Sequence, residues 1–279
     1  PTGRSDILTL ELASAALVGN LNPAKDNPPL DTNNCRWVQN GTRIGCTYNV
    51  FLPPDYYDSS RRYAVVYLLH GWGGEYQEWG IWMGTFGKAD ALMRSGEIPP
   101  FIIVAPEGDH DYWFNHAGDG ERWSDYVASE LVSTIDQNYR TLAQRESRAI
   151  GGLSMGGLGA MQIALNHSDE FSLVGLRSPT LRRIGDPDTP DFFGDQTFYN
   201  QYDPFVLAEN GSALGRLRAF FIIGDADIWL GRTQDFRSLL DQQGAPYEWH
   251  VYPGEHDAAF FDSHVEDDLR FYGANLAIQ

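Results

Sequence analysis

The sequence predicts an α/β fold in which a mostly parallel central sheet is flanked by helices. Short apolar runs with the length of buried strands alternate with segments of helical periodicity along most of the chain. A chain of 279 residues, 42% of them hydrophobic, is also long enough to bury one large core. These observations favour a single α/β domain at residues 35–279, preceded by an irregular lead-in at residues 1–34.

The predicted strands are apolar runs at residues 64–69, 101–104, 149–153, 173–176, 219–223 and 249–252. Helices are predicted between them, at residues 125–139, 156–165 and 233–240 and again after Asp257. The connection at residues 178–204 is rich in proline and shows little periodicity, which is typical of a functional loop or a small lid.

The charge and the apolar runs exclude several kinds of partner. A formal net charge of −18 would repel nucleic acid and anionic lipid surfaces, so neither is an expected partner. No apolar stretch approaches the roughly 18 residues of a membrane-spanning helix. The acidic residues Asp186, Asp188, Asp191 and Asp195 do not have the spacing of an EF-hand loop, so we predict a solvated acidic loop and no metal.

The two cysteines are placed for a disulfide. Cys35 and Cys46 lie five residues before and after an Asn40-Gly41 pair, which is a strong signal for a two-residue hairpin turn. Such a turn would set the cysteines opposite each other, within disulfide distance. A disulfide indicates an oxidising compartment, so we expect a secreted or periplasmic protein whose leader has been removed; reduced thiols packed in the core are the alternative.

The chemistry is indicated most sharply by Gly152-Leu153-Ser154-Met155-Gly156, a Gly-x-Ser-x-Gly pattern between a predicted strand and a predicted helix. In this context the glycines permit an abrupt turn that exposes the serine hydroxyl as a nucleophile. The N–H of Met155, at the start of the helix, is then available to a developing oxyanion.

A serine nucleophile requires a base and an orienting acid, each in a loop after a later strand. His256 follows the last predicted strand and is the histidine best placed to act as the base. The acid is expected after residues 219–223, where Asp225 and Asp227 are both candidates; the deeper position in the loop favours Asp227.

The glycine-rich turn His70-Gly71-Trp72-Gly73-Gly74 follows the first apolar run. Its position predicts that the N–H of Trp72 is the second oxyanion donor, whereas His70 is expected to be structural. The indole rings of Trp72, Trp113 and Trp123 are candidates to line an acyl or sugar pocket, with ordinary core packing as the alternative for each.

These segments together resemble the esterase D and feruloyl esterase branch of the α/β-hydrolases over about residues 46–275. The oxyanion run beginning at Tyr67 and the nucleophile region carry most of the likeness. Weaker matches are Ala105-Pro106-Glu107-Gly108, Trp113-Phe114-Asn115-His116 and Trp123-Ser124-Asp125-Tyr126, with the acid and histidine loops after residues 224 and 254. The resemblance implies the α/β-hydrolase fold.

The same resemblance implies a serine carboxylic-ester hydrolase that needs no cofactor and acts through an acyl-enzyme. The expected substrates are feruloyl, acetyl or other small-acyl esters of carbohydrates or alcohols. An acyltransferase of the mycolyl-transferase type and a thioesterase like S-formylglutathione hydrolase are the alternatives within the branch. A catalytically silent binding protein on the same scaffold is disfavoured by the intact serine, acid and histidine set.

Overall fold

The computed structural model describes residues 3–17, 34–38, 43–118, 120–187, 189–210 and 213–278. Within these residues the strands belong to one sheet. They are β1 (Asp6–Ser14), β2 (Cys35–Val38), β3 (Arg43–Leu52), β4 (Ala64–Leu69), β5 (Phe101–Pro106), β6 (Arg148–Leu153), β7 (Leu173–Arg177), β8 (Arg218–Gly224) and β9 (Tyr247–Tyr252).

The sheet has the order β1-β3-β5-β4-β6-β7-β8-β9, and β2 pairs with β3 outside this path. The strands from β4 to β9 run parallel to one another, whereas β1, β2 and β3 make antiparallel pairs. Each of the six predicted apolar runs is a strand of the parallel part, which confirms the α/β class. The carboxyl ends of these strands therefore meet at one edge of the sheet.

Most of the helices lie between strands along the chain, and the last two follow β9. They are α1 (Thr85–Ser95), α2 (Trp123–Asp125), α3 (Val132–Asn138), α4 (Met155–Asn166), α5 (Gln196–Tyr199), α6 (Pro204–Asn210), α7 (Leu230–Gln243), α8 (Ala258–Ser263) and α9 (Val265–Asn275). The predicted helix at 125–139 is interrupted, because a π-helical segment, Tyr126–Leu131, joins α2 to α3. None of the described helices is both long and apolar enough to cross a bilayer.

Alternate side chains of the central strands enter two separate apolar cores, one on each face of the sheet. In β4, Val65, Tyr67 and Leu69 join the core that contains α4. Val66 and Leu68 join the opposite core, which α1 and α9 cover. The central strands are thus buried on both faces, which explains why their sequences are apolar throughout.

The prediction that residues 1–34 are irregular is wrong for part of this segment. Residues 6–14 form β1, which pairs with β3 along its whole length, from Asp6 opposite Leu52 to Ser14 opposite Ile44. The β1 side chains are mostly exposed or half-buried, so this edge strand has no continuous apolar run to reveal it. Residues 18–33 lie outside the described residues.

Cys35 and Cys46 form the predicted disulfide. They are paired residues of the antiparallel strands β2 and β3, with Cα atoms 4.1 Å apart. The Asn40-Gly41 turn on which that prediction depended lies outside the described residues. The register of the two strands nevertheless sets the cysteines opposite each other, as a hairpin would.

The connection at residues 178–204 contains two short helical turns, Asp191–Phe193 and α5. Leu181, Phe193 and Tyr199 are fully buried, so this segment contributes to the core. Among its acidic residues, Asp186 makes a two-pronged ion pair with Arg232 of α7, and Asp195 caps α5 by accepting the N–H of Phe198. Asp188 lies outside the described residues.

Candidate active site

Ser154 stands at the turn between β6 and α4, in a backbone conformation with φ 53° and ψ −117°. This conformation is rare for a residue with a side chain. The backbone around this turn is packed so tightly that the two flanking positions have room only for glycine. A Cβ on Gly152 would lie 2.2 Å from the carbonyl oxygen of Gly156, and a Cβ on Gly156 would lie 2.2 Å from that of Leu69.

The side chains predicted as nucleophile, base and acid converge at the carboxyl edge of the sheet. The Oγ of Ser154 lies 2.9 Å from Nε2 of His256, although the two residues are 102 positions apart in the chain. The Nδ1 of the same ring lies 2.9 Å from Oδ2 of Asp227. Because the carboxylate accepts a hydrogen bond from Nδ1–H, Nε2 carries the free lone pair and can accept the hydroxyl proton of the serine.

Asp227 has the surroundings of an orienting acid. Its side chain is fully buried, and its Oδ1 accepts the N–H of Trp229 at 2.8 Å. Burial raises the pKa of Asp227, but hydrogen bonds from His256 and Trp229 outweigh this effect, so its pKa lies below the ordinary value. The carboxyl therefore stays ionised at neutral pH, where it orients the imidazole and stabilises its protonated form.

Asp225, the alternative acid, points elsewhere. It is exposed, and its Oδ1 accepts the N–H of Gly254 at 3.1 Å. Its side chain thus joins the loop after β8 to the loop that carries His256. The structure brings Asp227 to the imidazole, and Asp225 supports the histidine loop.

The turn after β4 lies directly beside the serine. A Cβ on Gly71 would stand 3.4 Å from Cβ of Ser154, so Gly71 packs directly against the serine. Met155 is the first residue of α4, where main-chain N–H groups have no acceptor within the helix. The two predicted oxyanion donors, the N–H groups of Trp72 and Met155, belong to the residues that follow Gly71 and Ser154 in the chain.

Two main-chain contacts around the serine could not be predicted from the sequence. The carbonyl oxygen of Arg177, the last residue of β7, accepts the N–H of Ser154 at 2.9 Å. The carboxylate of Glu78 accepts the N–H of Gly71 at 2.7 Å. No pattern marks either contact, because one acceptor is a carbonyl oxygen and the other an isolated glutamate.

Trp113 and Trp123 belong to the core, which corrects the idea that they line a substrate pocket. Both side chains are 0% exposed. The Nε1–H of Trp113 donates to the carbonyl oxygen of His70, and that of Trp123 donates to Glu121. Trp72, in contrast, is 56% exposed and its ring packs on that of His110, with centroids 4.6 Å apart.

One group of described residues has side chains that can ligate a metal: Asp111, His116 and Glu121. All three are buried. The carboxylates flank the imidazole, with Asp111 3.4 Å from Nε2 and Glu121 3.6 Å from Nδ1, and the ring of His116 stacks on Phe192 at 4.1 Å. A ring whose nitrogens both face carboxylates is typical of a structural histidine, here one that joins this loop to the connection at residues 178–204.

Comparison with known proteins places this geometry in a family. The family model Esterase, described as "Putative esterase", matches residues 41–272. Esterase Rv1288 of Mycobacterium tuberculosis is 30% identical over 244 residues, which cover 75% of this chain and 52% of that protein. An endo-1,4-beta-xylanase/feruloyl esterase of Xylanibacter ruminicola is 38% identical over 140 residues, 47% of this chain and 19% of that protein. The chain thus spans about half the length of the Mycobacterium protein.

A solved structure agrees over nearly the whole chain. A ferulic acid esterase superposes with a TM-score of 0.80 at 25% sequence identity, covering 99% of this chain and 100% of its own. The shared architecture includes the mostly parallel sheet and its flanking helices. The chain therefore belongs to the Esterase family, within the esterase branch of the α/β-hydrolases.

Proposed function

We propose that this protein hydrolyses carboxylic esters through a covalent acyl-enzyme on Ser154. The observation that supports this most directly is the hydrogen-bonded series from Ser154 through His256 to Asp227, with both distances at 2.9 Å. A base within reach of the hydroxyl, itself oriented by a buried acid, is the arrangement that turns a weakly nucleophilic serine into a nucleophile.

In the first half of the reaction, Nε2 of His256 removes the proton from Ser154, and Oγ attacks the carbonyl carbon of the ester. The tetrahedral oxyanion accepts hydrogen bonds from the N–H groups of Trp72 and Met155. When the intermediate collapses, the alcohol leaves with the proton held on His256. Asp227 remains ionised throughout and stabilises the imidazolium.

In the second half, a water molecule gives its proton to Nε2 of His256 and attacks the acyl carbon. The second tetrahedral intermediate releases the acid, and the proton returns to Oγ of Ser154. Every proton passes through Nε2 of His256, so each cycle consumes one ester and one water molecule and returns Ser154 to its starting state.

The proposed substrates are feruloyl, acetyl or other small-acyl esters of carbohydrates or alcohols. Relatives named feruloyl esterase and ferulic acid esterase support this class. The exposed indole of Trp72, next to the proposed oxyanion peptide, adds a flat apolar surface that suits an aromatic acyl group or a sugar ring.

A panel of esters, with Ser154→Ala as the control, tests the proposal. It contains methyl ferulate, acetylated xylan, short and long p-nitrophenyl esters and S-formylglutathione. Removal of the hydroxyl should lower kcat by about three orders of magnitude or more while the unfolding free energy stays nearly unchanged. Full activity of Ser154→Ala would reject the assignment, and a sharp preference for the thioester would replace the ester class by the thioesterase alternative.

We also propose that the protein works in an oxidising compartment, as a secreted or periplasmic enzyme. The disulfide between Cys35 and Cys46 supports this location, because cytosolic thiols are kept reduced. Alkylation of protein taken directly from its native compartment, before and after reduction, measures the state of the pair. Two thiols that are alkylated without reduction would contradict the proposal.

A further inference from the structure

His70 is a buried imidazole, 1% exposed, which the proposed hydrolytic cycle does not use. It is the last residue before the turn that carries the proposed oxyanion donor of Trp72. Its Nδ1 lies 2.9 Å from the carbonyl oxygen of Gly71. Because a carbonyl oxygen only accepts hydrogen bonds, Nδ1 carries a proton and donates it there.

This hydrogen bond acts on the peptide that links Gly71 to Trp72. The carbonyl of Gly71 and the N–H of Trp72 belong to one planar trans peptide, so they point in opposite directions. A donor that fixes the carbonyl therefore also fixes the direction of the N–H. A hydrogen bond to the oxygen further polarises the peptide, which makes its N–H a stronger donor.

Glu107 holds the imidazole in place from its other side. The Nε2 of His70 lies 3.2 Å from Oε1 of Glu107 and 2.9 Å from the main-chain nitrogen of Gly108. A neutral ring accepts the N–H of Gly108 at Nε2, and a protonated ring donates Nε2–H to Glu107. Nδ1 donates to Gly71 in both protonation states, so the hydrogen bond to Gly71 does not depend on whether the ring is neutral or protonated. We call His70, Glu78 and Glu107 the clamp.

Glu78 holds the preceding peptide of the same turn. Its Oε2 accepts the N–H of Gly71 at 2.7 Å, while His70 donates to the carbonyl of the same residue. Both main-chain polar groups of Gly71 are therefore held by side chains, and its carbonyl oxygen also accepts the N–H of Gly74 at 3.0 Å. Since a Cβ on Gly71 would lie 3.4 Å from Cβ of Ser154, the fixed residue is adjacent to the nucleophile.

We propose that His70 and Glu78 are positioning residues, which hold Gly71 so that the N–H of Trp72 points at the oxyanion. This inference deepens the proposed function and rests on it. The two side chains do not touch the reacting atoms. They act through the Gly71 peptide units, and Glu107 sets the orientation of the His70 ring.

A matched pair of variants tests the role of Nδ1. In His70→Asn the amide nitrogen replaces Nδ1. In His70→Gln it replaces Nε2, so the side-chain donor to Gly71 is lost and only the N–H of Gly74 still donates to that carbonyl. We expect His70→Gln to lower kcat by about 10- to 100-fold, somewhat less than the removal of a whole oxyanion donor, with KM within about twofold. His70→Asn should regain most of this loss. Equal kcat values for the two folded variants, or an effect confined to KM, would overturn the inference.

The rate of Ser154 labelling by a fluorophosphonate separates this inference from the proposed function. Attack on the probe also develops negative charge on an oxygen, so labelling should be slower in His70→Gln than in His70→Asn. A wild-type protein that the probe does not label at Ser154 would defeat the proposed function itself. Equal labelling of wild type and His70→Gln would defeat the positioning role alone.

Glu78→Ala provides an independent test if the variants at residue 70 do not fold. It releases the N–H of Gly71 and leaves His70 and Glu107 intact. We expect kcat to fall with KM unchanged, and Glu78→Gln, whose amide oxygen can still accept the N–H, to restore most of the activity. Unchanged kcat in folded Glu78→Ala would count against the proposal.

Discussion

Ser154 shows how one residue can be held in an unfavourable conformation for function. A positive φ of 53° on a residue with a side chain costs on the order of 1–3 kcal/mol. The surroundings stabilise it through the hydrogen bond from its N–H to Arg177 and through the glycines at positions 152 and 156. The motif predicted this turn because the close packing of its backbone requires glycine at positions 152 and 156.

For the three tryptophans, residue type alone does not decide between lining a pocket and packing in the core. Trp72, Trp113 and Trp123 all lie near motifs, and the sequence offered pocket and core for each. The structure buries Trp113 and Trp123 completely and exposes 56% of Trp72. The difference arises from contacts that folding makes: Gly159, distant in the chain, has no side chain where the ring of Trp113 lies. Such contacts are not encoded in a local pattern.

Trp72→Ala separates the side chain of this residue from its main-chain N–H. We expect KM for methyl ferulate to rise about 3- to 10-fold, the effect of losing one aromatic contact. The kcat should change little, because the N–H that serves the oxyanion remains, and ethyl acetate, which has no ring, should be hydrolysed as before. Steady-state kinetics with both esters measure the effect.

Tyr57→Ala is a suitable control, because Tyr57 is similarly exposed, at 58%. It hydrogen-bonds to Asp6, the first residue of the edge strand β1, and is not part of the proposed site. This substitution should leave both substrates unaffected. An unchanged KM for methyl ferulate in Trp72→Ala would show that the indole does not contact the acyl group.

At the scale of elements, the six parallel strands were predicted from their apolar runs, whereas the antiparallel edge strand β1 was missed. β4 to β9 occupy the six apolar runs because most of them are covered on both faces. β1 has exposed and half-buried side chains and therefore no continuous apolar run. Its signal is instead the alternation Leu8-Thr9-Leu10-Glu11-Leu12, which is typical of a half-buried strand. The helix predicted at 125–139 has the right apolar face, but periodicity does not reveal the π-helical segment at its centre.

The close contact between α4 and the end of β4 predicts that Gly156 cannot be replaced without loss of stability. A Cβ in Gly156→Ala would meet the carbonyl oxygens of Leu69 and His70 at 2.2 and 2.6 Å, so the helix must move away from the strand. We expect unfolding in urea to show a loss of about 1–3 kcal/mol, the usual cost of overpacking. The kcat should fall as well, because the shift separates Ser154 from Gly71.

Gly87→Ala in α1 is the matched control. No atom lies within 4 Å of a Cβ at that position, and glycine disfavours a helix by roughly 0.5–1 kcal/mol relative to alanine. This variant should be as stable as the wild type or slightly more so, with unchanged activity. A Gly156→Ala protein with the stability and kcat of the control would refute the packing argument.

At the scale of the whole molecule, the site is assembled by topology. Gly71, Ser154, Asp227 and His256 follow four different parallel strands, β4, β6, β8 and β9, whose carboxyl ends share one edge. This is why chain order alone predicted a nucleophile, a base and a preferred acid whose side chains the fold brings together. The clamp formed by His70, Glu78 and Glu107 could not be predicted in this way, because no sequence motif relates the two glutamates to the turn after β4.

The net charge of −18 leads to a prediction about substrates at the same scale. A strongly negative protein repels anions over distances of about 10 Å at 0.1 M salt, and added salt screens this repulsion. We expect kcat/KM for an anionic ester, the p-nitrophenyl hemisuccinate, to rise as NaCl increases from 10 to about 300 mM. The neutral p-nitrophenyl butyrate, of similar size, should show no such rise, which controls for effects of salt on the catalytic groups. If the anionic ester is instead hydrolysed more slowly as salt is added, the site attracts anions despite the overall charge, and anionic thioesters such as S-formylglutathione become the better candidates.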